Sequence, residues 1–230
     1  MRILGLDTAT WKASVGLCID GELVSEESRT ADGGSHAVSL LSLIAEVLQD
    51  GGCSVGDLDA VAVSGGPGSF TGLRIGLSVA KGIAYAIGAR LIAVPTLEAL
   101  ARTVAHLDGK VCPVLDARKG ELYAACFQSS NGALQRLTDD LLLTPEALLE
   151  VIPTPCVMLG DAVAIYGGFL QQHLSTGVTL LPSDTHGPSG GVVAAMAAER
   201  LDAGAPDDLS QLEPCYIRLS EAELKWSRKC

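Results

Sequence analysis

Aromatic residues are scarce: Phe, Trp and Tyr supply 4% of the chain, although hydrophobic residues reach 48%. The core must therefore be built from Ala, Val, Leu and Ile. Runs of basic residues are absent. The formal net charge is -11, from 16 Lys and Arg against 27 Asp and Glu. Phosphate backbones are held by clustered Lys and Arg, so a nucleic-acid role would have to pass through a more basic partner. No CxxC pair occurs among Cys18, Cys53, Cys112, Cys126, Cys156, Cys215 and Cys230. Their odd number and irregular spacing read as reduced structural thiols of a cytosolic protein and match no zinc-ligand pattern. His36, His106, His173 and His186 lack an HExxH motif or a second His at metal-binding spacing, which argues against a zinc hydrolase. No GK[ST] motif is present. Ser64 follows an apolar run, but Ala62-Val63 before it break the GxSxG pattern of a serine hydrolase. The first residues lack the basic and apolar regions of a secretory signal. The most apolar long segment, Gly72 to Ile87, carries Arg74 and Lys81 and is short for a membrane span. A soluble, cytoplasmic chain is expected.

What is present is a regular alternation of apolar runs and helical patterns over 230 residues, room enough for two small lobes. Strands are expected at Arg2 to Leu6, Ala13 to Ile19, Glu22 to Ser28, Leu58 to Val63 and Arg90 to Val94. Asp20-Gly21 marks a hairpin. Helices are expected at His36 to Gln49, with Ser35 as N-cap, at Thr71 to Ile87, stopped by Gly88, and from Thr96 to about His106. The second half repeats the opening: RILGLDTATWKASVGLCI and VCPVLDARKGELYAACF both place an acid, Asp7 or Asp116, between two apolar strands. Strands are expected at Lys110 to Leu115, Glu121 to Phe127, Val157 to Leu159 and Val178 to Leu181. Helices should follow Thr144-Pro145 and span Ser189 to Ala203. This pattern specifies an α/β fold of two lobes with mixed sheets flanked by helices. The expected division is residues 1–106, residues 107–210 and a tail at 211–230, with a polar linker at Ala205 to Ser210.

Two turns could meet phosphate. Asp7 and Thr8 end the first strand, and Asp116 ends its counterpart; an Asp there can organise a metal-bound nucleotide or simply bond turn amides. In GGPGSFTGLRIG, the glycines Gly65, Gly66 and Gly68 permit a tight strand-to-helix turn, and Ser69 and Thr71 can cap the helix. The loop reads equally as an anion cradle or as a turn without a ligand.

The helix beyond it carries Gly72, Gly76, Ala80, Ala84 and Gly88 every four residues. Interior glycine costs about 1 kcal/mol relative to alanine, so a compensating close contact is required. That contact is either the chain's own sheet or another subunit. In the preceding helix, the polar residues Ser35, Ser39, Ser42, Glu46 and Gln49 occupy one narrow stripe, and apolar residues cover most of the rest. One sheet needs only one apolar face, so a partner on a second side is expected.

Four segments, LGLDTATWKASVGL, GGPGSFTGLRIG, PVLDARKGELYAACF and PCYIRL, resemble the bacterial TsaB family, also called YeaZ. The resemblance covers nearly the whole chain. It implies an actin/Hsp70-like (ASKHA) fold and a part in making N6-threonylcarbamoyladenosine in tRNAs that read ANN codons. It implies a subunit that does not perform the transfer but pairs with the catalytic subunit TsaD, joined by the ATPase TsaE. It further implies that one surface of the first-lobe helices serves either a homodimer or the TsaD heterodimer. The expected surface is His36, Leu40, Leu43 and Val47, with Gly72, Arg74, Ile75, Gly76, Val79, Ala80 and Ile83. Asp7, Thr8, Gly66, Gly68, Ser69 and Asp116 remain candidates for phosphate. No metal or firmly bound cofactor is expected; ATP or ADP at the joint with the partner is left open. TsaD carries paired metal-binding histidines; here His106 stands with Arg102 and Lys110 four residues to either side. The alternative is an independent ATP-binding enzyme of the same fold, a kinase or ATPase.

Overall fold

In the computed structural model, the structure describes residues 1–30, 36–174, 177–183, 186–187, 189–204 and 211–218, with side chains in the first helix from residue 40 onward. Strands β1 (Arg2–Asp7), β2 (Lys12–Ile19) and β3 (Glu22–Thr30) form an antiparallel meander. Asp20 and Gly21 both take positive φ, 52° and 86°, the twist a two-residue hairpin demands. Helix α1 (His36–Asp50) leads through a short turn to β4 (Ala60–Gly66), which lies parallel to β1. Helix α2 (Phe70–Ile87) is opened by the Ser69 hydroxyl, which accepts from the Gly72 N–H, and ended by Gly88 at φ 70°. Strand β5 (Arg90–Pro95) completes a sheet of order β3-β2-β1-β4-β5. The expected N-cap Ser35 lies outside the described residues, as does the expected linker Ala205 to Ser210.

Side chains alternate across this sheet. Leu4, Leu6, Val15, Leu17, Val61 and Val63 meet Leu40, Leu43 and Val47 of α1 and Leu77, Ala80 and Ala84 of α2. Ile3, Cys18, Ala62 and Ile92 face the other way, onto Val193, Ala194 and Ala197 of α6 (Gly190–Asp202). Helix α6 sits very close: a Cβ on Gly5 would stand 2.1 Å from the Gly190 carbonyl oxygen, and one on Gly16 would stand 2.2 Å from the Gly191 nitrogen. The Glu26 carboxylate holds its first turn, accepting from Ser189 Oγ and from the Gly191 N–H. Helix α6 therefore belongs to the first lobe, although its sequence position falls in the span expected to form the second.

Helix α3 (Thr96–Arg102) joins the lobes. Its Leu97, Leu100 and Ala101 pack with Val111, Leu115, Phe127 and Leu159 of the second lobe. That lobe comprises β6 (Gly109–Arg118), β7 (Glu121–Ala124), β8 (Phe127–Ser130), β9 (Ala133–Arg136), β10 (Leu141–Leu143), α4 (Pro145–Val151), β11 (Cys156–Leu159), α5 (Asp161–His173) and β12 (Val178–Leu180). The path β10-β7-β6-β11-β12 follows the order of the first sheet, and β8 and β9 are added beside β6. In both, an antiparallel hairpin flanks a strand that pairs in parallel with the next. Several expectations shift; the helix expected from Thr96 to about His106 ends at Arg102. The strand expected over Glu121 to Phe127 divides, because β7 pairs with one part of β6 and β8 with another. Helix α5 was not foreseen; it contains Gly167-Gly168 and buries only Ala162, Gly167 and Leu170, so its apolar period is weak. Among the described residues, no helix is long and apolar enough to cross a membrane.

Candidate functional site

The end of β1 is closed by its own chain. Asp7 is 1% exposed and Thr8 is fully covered. The Asp7 carboxylate accepts from the Ser64 hydroxyl at the end of β4 and from the Ala9 N–H at 3.0 Å. Burial pushes its pKa up, and those two hydrogen bonds oppose the shift. Thr8 Oγ1 donates to the Gly72 carbonyl at 2.7 Å, and the Ser69 N–H donates to the Ala9 carbonyl at 2.7 Å. The glycine loop thus lies directly on the turn. A Cβ at Gly68 would stand 2.6 Å from the Ala9 carbonyl oxygen, and one at Gly72 would stand 2.0 Å from that of Thr8. Glycine is required here for close approach of the chain to itself. At the first turn the Ser69 amide is bonded to the Ala9 carbonyl, and Gly68 and Gly72 pack directly against Ala9 and Thr8.

The corresponding turn of the second lobe is more open. Asp116 accepts from the Arg118 N–H and pairs with its guanidinium at 3.2 Å, while its own N–H donates to Asp161 Oδ1 at 2.8 Å. Asp161 begins α5. Burial, helped by the negative charge of Asp116, pushes its pKa up to about 6, against hydrogen bonds from backbone N–H groups and the Arg118 charge. This carboxylate pair carried no sequence motif. Its members are 45 residues apart and meet only because β11 lies beside β6.

The residues expected to face a partner divide into two groups. Leu40, Leu43, Val47 and Ala80 are wholly enclosed by this chain. Gly72 and Gly76 are buried too, and a Cβ at Gly76 would stand 2.3 Å from Thr8 Oγ1. At Gly72 and Gly76 the small-residue stripe receives the chain's own first turn, and Ala80 and Ala84 continue it into the first core. Arg74 is exposed, and Ile75, Val79 and Ile83 are half-buried against the first core. The side chain of His36 lies outside the described residues.

What α1 and α2 present outward was only partly foreseen. Tyr85 is 81% exposed and Leu41 55%. Between the exposed positions of α2 lies Gly82, where a Cβ would meet nothing within 4 Å. At the start of the same helix, Phe70, Arg74 and Tyr216 form a cluster. The Arg74 guanidinium sits 3.9 Å over the Phe70 ring, and the Phe70 and Tyr216 centroids are 4.9 Å apart. Neither Tyr85 nor the contact of Phe70 and Arg74 with Tyr216 is among the features the sequence singled out. An open cavity of ≈ 370 Å³ lies beside the loop, lined by Gly65, Gly66, Pro95, Arg136, Asp139 and Cys215 among others. His106 is exposed in the turn after α3. Among the described residues, no group of three or more His, Cys, Asp and Glu is placed to hold a metal ion.

Comparison with known proteins gives three findings. The family model of TsaD, tRNA N6-adenosine threonylcarbamoyltransferase, matches residues 33–226. The tRNA threonylcarbamoyladenosine biosynthesis protein TsaB of Bacillus subtilis is 31% identical over 98% of both chains. Among solved structures, YeaZ from Pseudomonas aeruginosa superposes with a TM-score of 0.78 at 26% identity, covering 94% of this chain and 99% of that one. The fold extends further, to component A of (R)-2-hydroxyglutaryl-CoA dehydratase from Acidaminococcus fermentans, at a TM-score of 0.54 and 14% identity over 88% of this chain and 99% of that one. The architecture is the actin/Hsp70-like (ASKHA) fold.

Proposed function

We propose, for a chain that belongs to the TsaB family of tRNA threonylcarbamoyladenosine biosynthesis proteins, the role of a non-catalytic cytoplasmic subunit that docks and activates TsaD. The observation that carries this reading is the pairing of a closed first turn with an uncovered helix face. Asp7, the residue that would organise a nucleotide, is spent on Ser64 and Ala9. Leu41, Tyr85 and Arg74 instead stand outward on α1 and α2. Large exposed apolar and aromatic side chains, and arginine, are over-represented at interface centres. Ile75, Val79 and Ile83 would complete that surface when a partner arrives, with the buried Leu40, Leu43, Val47, Gly72, Gly76 and Ala80 shaping it from beneath. In the absence of TsaD, the same face would pair two copies of this chain. TsaE would join the assembled pair, and tRNA would be held by the complex, given the net charge of -11 on this chain.

The test is reconstitution of tRNA threonylcarbamoylation from purified components with and without this chain. Modification should require it, and the chain alone should turn over nothing. ATP hydrolysis by the isolated chain, abolished by Asp7→Ala, would establish the independent ATP-binding enzyme in its place.

A further inference from the structure

Residues 211–218 form neither strand nor helix, yet they touch both lobes. Leu212 packs against the first-lobe core, and Ile217 against the core that α3 shares with the second lobe. Between them, the Cys215 N–H donates to the Gly65 carbonyl at 2.7 Å. Gly66 takes φ +117° there, and a Cβ on it would stand 2.5 Å from the Cys215 carbonyl oxygen. Tyr216 accepts from Arg74 Nε at 2.8 Å and stacks on Phe70, so the segment is tied to the first turn of α2. Arg218 reaches the other lobe. It donates to the Ala117 carbonyl at 2.5 Å and to that of Arg118 at 3.4 Å, and it pairs with Glu121. These groups border the turn at which Arg118, Lys119 and Gly120 all take positive φ. A planar guanidinium offers five donors in a fixed fork, a geometry that an ammonium's three rotatable donors do not reproduce.

From this juxtaposition we infer that Leu212 to Arg218 is an interlobe strap that couples the second-lobe turn to the docking end of α2. Tyr216 and Arg218 are its positioning residues. The inference rests on the proposed use of the α1–α2 face for TsaD. The strap joins the glycine loop, the start of α2 and the β6–β7 turn through one short segment, so loosening one end must be felt at the other. Coupling between sites through a shared element typically changes affinity by about fivefold or more.

Full-length wild type, Arg218→Ala, Arg218→Lys and Tyr216→Ala would be compared by amide hydrogen exchange without partner, and by affinity for purified TsaD. Arg218→Ala should speed exchange at the Arg118–Gly120 turn and also across Gly65–Gly72, which Arg218 does not touch. It should weaken TsaD about fivefold, with Arg218→Lys rescuing only part of the loss. Faster exchange confined to residues 117–121, with TsaD affinity unchanged, would overturn the strap. Should Arg218→Ala fail to fold, Tyr216→Ala decides, since it loosens the strap's half-exposed contact with the first lobe. Faster exchange at Arg118–Gly120 in that variant supports the strap, and unchanged exchange there refutes it. Absence of TsaD binding by wild type would strike the docking role alone, leaving the exchange pattern to judge the strap.

Discussion

A Cβ on Gly72 would stand 2.0 Å from the Thr8 carbonyl oxygen, whereas one on Gly82 in the same helix would meet nothing within 4 Å. Two substitutions of identical chemistry should therefore move stability in opposite directions. Gly72→Ala must push the first turn away and should cost about 2–3 kcal/mol. Gly82→Ala should add about 1 kcal/mol, because alanine loses less chain entropy in a helix. Urea unfolding of both variants checks the contrast. A second residue-scale expectation concerns Asp161, whose pKa burial lifts from 3.8 to about 6. Between those values the folded chain keeps a proton that the unfolded chain has lost. Stability from this site is thus highest below pH 4 or so and falls as pH rises through about 6. Asp161→Asn retains an acceptor for the Asp116 N–H and removes the buried charge. It should stabilise the chain by on the order of 2 kcal/mol at pH 7.5 and by little at pH 4. Denaturant unfolding at the two pH values measures the difference.

At the scale of elements, α2 presents two different faces. Its inner stripe closes on the Asp7 turn and the first core, while its outer face carries Arg74, Ser78 and Tyr85. A charge on the outer face alone should separate docking from folding. Leu41→Asp combined with Tyr85→Asp should weaken TsaD binding at least tenfold, or by about 1.4 kcal/mol or more. The unfolding midpoint should stay within experimental reach of wild type, because both side chains are largely in water. Co-purification and titration calorimetry, run beside thermal unfolding, provide the two readings. Glycine and serine punctuation made α2 legible in sequence: Ser69 starts it and Gly88 ends it. Helix α5 escaped because it buries few apolar residues and carries paired glycines. The long strand expected through Phe127 split because pairing partners, not local propensity, set where a strand ends.

At the scale of the whole molecule, the surplus of acids sets what the isolated chain will not do. With a net charge of -11, it should bind tRNA no more tightly than about millimolar at physiological salt, and adding salt should bring no steep loss. The complex with TsaD should bind tRNA, with affinity that falls as salt rises. Gel retardation of tRNA by each, across a salt series, distinguishes the two. The sequence by itself determined the two-lobed plan, the acid at the end of each leading strand and the glycine loop, because strand period, hairpin residues and helix caps are local signals. Tertiary structure alone decided how they are used. The stripe from Gly72 to Ala84 could be read as a bed for a neighbour or for the chain's own sheet. Thr8 meets Gly72 and Gly76, where the β1–β2 turn crosses the start of α2, and Ala80 and Ala84 pack in the first core. Helix α6 returns to the first sheet, Asp161 meets Asp116, and Arg218 reaches the Ala117 carbonyl. Each of these contacts joins residues distant in the chain, and no periodicity within a segment can encode where another segment will come to rest.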